Sequence, residues 1–154
     1  NISKQLINNM NFNFKEKDIQ SICKILNAKC QEHNGSWTLQ LSDSATKQSL
    51  VISIYNNIQL GKNKNGSLIS VQTLHGYFEI HDLIGYLIFE PDEVIFVQSS
   101  NETVSCMIVG KQCTCSLFTN INKEILKSDF NTLDPAVLMS AMQLSLTESI
   151  LQND

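Results

Sequence analysis

Apolar residues change their spacing once along this chain, near residue 36, and that change constrains the fold more than any other feature. Before it, "KEKDIQSICKILNAKCQE" (15–32) carries Ile19, Ile22, Cys23, Leu26 and Cys30 at steps of three and four. Such steps set the five side chains on one stripe of a helix. Asn13 is the expected N-cap, and Asn34 with Gly35 supplies the turn that ends the helix. After it, "SWTLQLS" alternates Trp37, Leu39 and Leu41 against Thr38 and Gln40. A period of two marks a half-buried strand.

The alternation then persists. "SLVISIYNNIQL" runs through Leu50, Ile52, Ile54, Ile58 and Leu60, and "SLISVQTL" follows the turn cluster "GKNKNG", so residues 49 to 74 predict one long hairpin. "YLIFEPDEVIFV" reads as two strands about a turn at Glu90 to Glu93, because Pro91 has no N–H to give a sheet ladder. "VSCMIVG" and "CTCSLFTNI" predict a last hairpin turning at Lys111 and Gln112. Farther on, "TLDPAVLMSAMQLSLTESILQND" opens with Asp134 as N-cap and Pro135 at the first helical position. Leu138, Met142, Leu146 and Ile150 step by four along one side, with Val137, Ala141 and Leu144 beside them.

The predicted fold is α+β in a single domain over residues 1–154. A curved, mainly antiparallel sheet of five to seven strands (about 36–121) is flanked by an N-terminal amphipathic helix (about 15–32) and a C-terminal helix (about 135–151). Its expected core is Ile22, Leu26, Trp37, Leu39, Ile52, Ile54, Ile80, Ile88, Phe96, Ile108, Leu117, Leu138 and Met142.

Composition narrows the partners. The chain has eleven Lys and no Arg against seventeen Ile and sixteen Asn, a mixture that an AT-rich genome produces. Without Arg there is no planar fork for phosphate, and at a net charge of −4 the scattered lysines form no basic stripe. Nucleic acid is therefore not an expected partner. No run approaches the roughly 18 apolar residues of a membrane-spanning helix. The polar opening "NISKQLINNMNF" lacks both an initiator Met and the pattern of a secretory signal, which suggests a trimmed or processed start. Five cysteines, an odd number set among aliphatic residues, point to reduced thiols and hence to the cytoplasm or an organelle stroma.

Two constellations could carry chemistry. A hairpin turning at Lys111 and Gln112 pairs Ile108 with Cys115 and Cys106 with Leu117, which gathers Cys106, Cys113 and Cys115 on one face. A zinc site calls for four ligands, commonly two C-x₂₋₄-C pairs, and here one C-x-C stands alone. Packing is the expected role of these thiols. In "HGYFEIHD", His75, Tyr77, Glu79 and His81 alternate, so a strand would present them in one row suited to acid–base work or to a ligand. With Phe78 and Ile80 as the core side, a solvated row is expected. The carboxylates of "EPDE" are expected to be solvated at their turn. No G-x-S-x-G, Gly-rich phosphate cradle or H-E-x-x-H is present.

The function expected from these features is a non-catalytic protein-interaction or assembly module, with no metal or cofactor. It would act through its sheet surface or C-terminal helix. Leu138, Met139, Met142 and Leu146 would contact another protein subunit or a second copy, since methionine adapts its shape to a partner. Two alternatives stand beside it. One is a small-ligand sensor with a pocket between sheet and helices lined by Tyr77, Tyr86, Phe89 and Phe118. The other is an enzyme or metal site built on His75, Glu79 and His81 or on the cysteine cluster.

Overall fold

The computed structural model describes residues 2–6, 12–62, 64–99 and 102–122. The protein is mostly β: one short N-terminal helix, α1 (Glu16–Leu26), and two antiparallel sheets. In chain order the strands are β1 (Ile2–Leu6), β2 (Lys29–His33), β3 (Ser36–Asp43), β4 (Gln48–Gly61), β5 (Lys64–Thr73), β6 (Tyr77–His81), β7 (Leu83–Phe89), β8 (Glu93–Ser99), β9 (Thr103–Gly110) and β10 (Thr114–Asn122). Sheet A has the order β1-β7-β8-β9-β10, and sheet B is the meander β2-β3-β4-β5-β6. The expected single sheet is thus two. The chain leaves one for the other at Asp82, whose φ of 59° breaks the run between β6 and β7. Ser67, buried at that crossing, accepts Leu83 N–H on its Oγ (3.1 Å) and Asp82 N–H on its carbonyl (2.8 Å).

Helix α1 ends at Leu26, well short of residue 32. Asn27 takes the left-handed conformation (φ 53°), and Ala28 N–H returns to the Cys23 carbonyl at 3.0 Å, the reversal that closes many helices. Residues 29 to 33 are then free to pair with β3, from Lys29 opposite Gln40 to His33 opposite Ser36. The helix start is also later than expected, at Lys15 rather than Asn13. Asn56 on β4 holds Phe14 by both its backbone groups, at 2.9 Å each, which keeps Phe14 outside the helix.

Sheet B is one-sided. Trp37, Leu39 and Leu41 pair with Ile54, Ile52 and Leu50, and the ladder continues through Ile69 and Val71 to Ile80. The long hairpin expected between residues 49 and 74 forms β4 and β5. Sheet A buries both faces. Its inner face, Tyr86, Ile88, Val94, Phe96, Met107 and Val109, joins sheet B and α1 in one core. Its outer face carries Leu87, Ile95, Val97 and Cys106 at 0 % exposure and Val104 at 1 %, outside that core cluster. Alternation predicts inner and outer faces correctly on sheet B; on β7 to β9 both registers are apolar, as in strands covered on two sides.

One polar contact ties the helix to sheet A. The Asp18 carboxylate, buried in the first turn of α1, accepts Tyr86 Oη at 2.7 Å and Lys15 N–H at 2.8 Å. Around it Phe12, Phe14, Tyr86 and Phe96 pack with ring centroids 4.8 to 6.2 Å apart. Of the core expected from sequence, Ile108 and Leu117 are only half-buried, and Leu138 and Met142 lie outside the described residues. The expected C-terminal helix also lies outside them.

Burial, and next the Asp18 carboxylate, hold the Tyr86 phenol protonated well above its ordinary range. A proton held more tightly by the folded chain stabilises it fully below about pH 10, the unfolded value, and progressively less above. Wild-type melting temperature should therefore fall on passing from pH 9 to pH 11, and Tyr86→Phe should flatten that fall. At neutral pH the same variant leaves one buried Asp18 oxygen unpaired and should lose about 1–3 kcal/mol in urea unfolding.

Candidate functional site

The last hairpin determines where the thiols go. Its turn contains three residues, Lys111 to Cys113, because Cys113 adopts a left-handed φ of 64° and donates its N–H to the Gly110 carbonyl at 3.1 Å. A type I turn followed by a left-handed residue is a standard three-residue connection. Thr114 accordingly faces Gly110, Cys115 faces Val109, and Phe118 faces Cys106. This is one step from the pairing expected with a turn at Lys111 and Gln112, and a one-residue slip reverses the face of every side chain. Cys115 points inward beside Val109 and Leu117, whereas Cys106 points outward beside Ile108 and Phe118. The three thiols do not converge.

Two of them instead line a cavity that a histidine also borders. Cys113 and Cys115 share a cavity of about 230 Å³ with His75, Phe78 and Leu74, between sheet B and the β9–β10 hairpin. His75 is held in the turn after β5 by Thr73, whose Oγ1 accepts the N–H of His75 (3.1 Å) and of Gly76 (2.9 Å), while Thr73 N–H donates to the Gly76 carbonyl at 2.8 Å. Leu74, 68 % exposed, stands at the rim. Burial pushes the Cys115 thiol up to about 11. Burial and then the Asp43 charge raise Cys113, against a small lowering from the Leu50 backbone. Cys106, on the far face, is pushed up to about 12 by burial alone. A reactive thiol needs the opposite environment, with a cation or helix N-terminus favouring the thiolate. This cavity can bind, but its sulfurs are not poised to attack.

The row expected on one strand is divided. Tyr77, Glu79 and His81 project from the solvent side of β6, an edge strand, with Phe78 and Ile80 turned inward. Tyr77 Oη donates to Glu79 Oε2 at 2.6 Å, and that bond is the main cause of the raised Tyr77 pKa. His75, expected as the fourth member, precedes the strand and lines the cavity. Among the described residues, no group of three or more His, Cys, Asp and Glu side chains is arranged to hold a metal ion. In the EPDE turn Glu90 is exposed, but Asp92 and Glu93 are partly buried, and burial followed by the Asp92 charge raises the Glu93 carboxyl.

The aromatic pocket expected from Tyr77, Tyr86, Phe89 and Phe118 does not form, since register separates its members. Tyr86 lies on the inner face of sheet A, Phe89 and Phe118 on the outer face, and Tyr77 on the edge of sheet B. Leu138, Met139, Met142 and Leu146 lie outside the described residues. Sequence reading missed Asp18, although an acid at the third helical position after a polar residue is a capping signal. It also missed the approach of Cys30 to α1, for which Asn27 in "LNAK" was the available sign of chain reversal.

Iodoacetamide labelling of the native protein at pH 8, read by peptide mass mapping, should leave Cys106, Cys113 and Cys115 essentially unmodified. For Cys115, at about 11, only about one thiol in a thousand is thiolate at that pH, Cys106 is raised further, and Cys113 is raised and buried. Labelling in urea should modify all three.

No protein-family model, curated protein or solved structure matches this chain.

Proposed function

We propose that this protein is a non-catalytic interaction module that works through its sheet surface or through the apolar stripe of residues 135–151. The observation that carries this reading is the outer face itself: Leu87, Ile95, Val97, Val104 and Cys106 are buried, yet α1 and sheet B pack on the opposite side. A sheet that is apolar on both faces needs a layer on each. Leu138, Met142 and Leu146, with Met139 beside them, have the spacing and chemistry of such a layer. In the proposed assembly the stripe joins the chain to another protein subunit or to a second copy of itself. A reducing compartment, the cytoplasm or an organelle stroma, is proposed with it, because the five cysteines are an odd number set among aliphatic residues.

Leu138→Asp tests the reading by light scattering after size exclusion, with far-ultraviolet circular dichroism as the control for folding. The expected result is a wild-type complex and a variant that is a folded monomer with an intact β spectrum. Loss of the β spectrum would assign the stripe to the core of its own subunit and overturn the reading, as would a wild-type chain that stays monomeric at every concentration and captures no partner.

A second reading rests on the 230 Å³ cavity beside His75, Phe78 and Cys115, which has room for a small, mainly apolar ligand. A stabilising compound in a thermal-shift screen, lost on Phe78→Ala, would support it.

A further inference from the structure

The fold brings two other thiols together. Cys23 lies in the last two turns of α1, and its carbonyl accepts the Ala28 N–H that reverses the chain. Only Asn27 and Ala28 separate helix from strand, so β2 returns directly alongside α1. Cys30 pairs with Leu39, a core residue, which turns it to the side of sheet B where the helix packs. The two thiols are close neighbours there. Both border a cavity of about 270 Å³ that is also lined by Trp37, the chain's single tryptophan. Cys23 is half-buried and Cys30 exposed. Neither lies on the outer face of sheet A.

We propose that Cys23 and Cys30 form a reversible dithiol–disulfide pair, oxidised by a low-molecular-weight disulfide of the glutathione type, that staples α1 to the edge of sheet B. Exchange begins at the accessible sulfur. The Cys30 thiolate attacks one sulfur of the oxidant, forming a mixed disulfide and releasing one small thiol. Cys23 then gives its proton to solvent and attacks the Cys30 sulfur, which expels the second small thiol and closes the protein disulfide. Two protein thiols have lost two electrons and two protons, and one small disulfide has become two thiols. The order follows from accessibility and charge: burial, and then the neighbouring Cys30, push Cys23 up to about 12, which suits a resolving thiol rather than the first attacker. The staple acts on the helix whose Asp18 holds Tyr86, so redox state reaches the junction between α1 and sheet A.

The experiment uses the full reduced chain incubated with oxidised glutathione near neutral pH. Intact mass should fall by about 2 Da for the two hydrogens lost, and the unfolded product should titrate two fewer thiols than the reduced chain. Peptide mapping should join Cys23 to Cys30, and dithiothreitol should reverse the change. Trp37 fluorescence should drop on oxidation, because a disulfide beside an indole quenches it. Cys23→Ser should stop at a glutathione adduct on Cys30, while Cys30→Ser should retain wild-type circular dichroism and form no internal disulfide. A Cys113–Cys115 linkage, covalent dimers, or a wild-type chain that keeps glutathione on Cys30 with Cys23 unreacted would each overturn the proposal.

Discussion

The contact on which the rest of this fold depends is the buried Asp18 carboxylate. It accepts the Tyr86 hydroxyl from sheet A and the Lys15 amide at the start of α1, so a single side chain both opens the helix and anchors it. A carboxylate taken out of water must be satisfied by donors, and here both oxygens are. Asn56 performs the matching task from sheet B by gripping the backbone of Phe14. Between these two polar clamps the aromatic group of Phe12, Phe14, Tyr86 and Phe96 fixes how the helix segment seats against both sheets. Placement of α1 also determines the position of Cys23, and with it the thiol pair.

The two sheets divide their work by face. Sheet B, apolar on one side, is a wall of the core, and its outer strand β6 presents Tyr77, Glu79 and His81 to water. Sheet A is apolar on both sides, a pattern that costs solubility unless a second layer covers it. The proposed interaction module takes that apolar second face as its starting point. Its sulfurs agree with that reading, since burial raises Cys106 and Cys115 away from the thiolate form.

Much of the fold was legible along the chain. Alternation identified the inward residues Trp37, Leu39, Leu41, Ile52 and Ile54, and Pro91 marked the break between β7 and β8. Legibility failed where a single backbone torsion outweighed side-chain pattern. Asn27 turned the chain and ended the helix early, Asp82 split one expected sheet into two, and Cys113 added a third residue to a turn. The last of these moved Cys106 to the opposite face from Cys115 and dissolved the expected thiol cluster. Each is a non-glycine residue in the left-handed region, where composition gives only a weak cue; Asn and Asp are merely enriched there.

The amino-acid sequence by itself determined local period, and through it the strands and the amphipathic face of α1, together with the lack of a basic footprint; among the described residues no helix is long and apolar enough to cross a membrane. These follow from spacing between near neighbours, which the chain states directly. Tertiary structure alone decided the partition into two sheets, the burial of Asp18 against Tyr86, the cavity shared by His75, Cys113 and Cys115, and the approach of Cys23 to Cys30. The physical reason is that each depends on a turn torsion or a one-residue register, and a change of one position there carries side chains from one face of a sheet to the other.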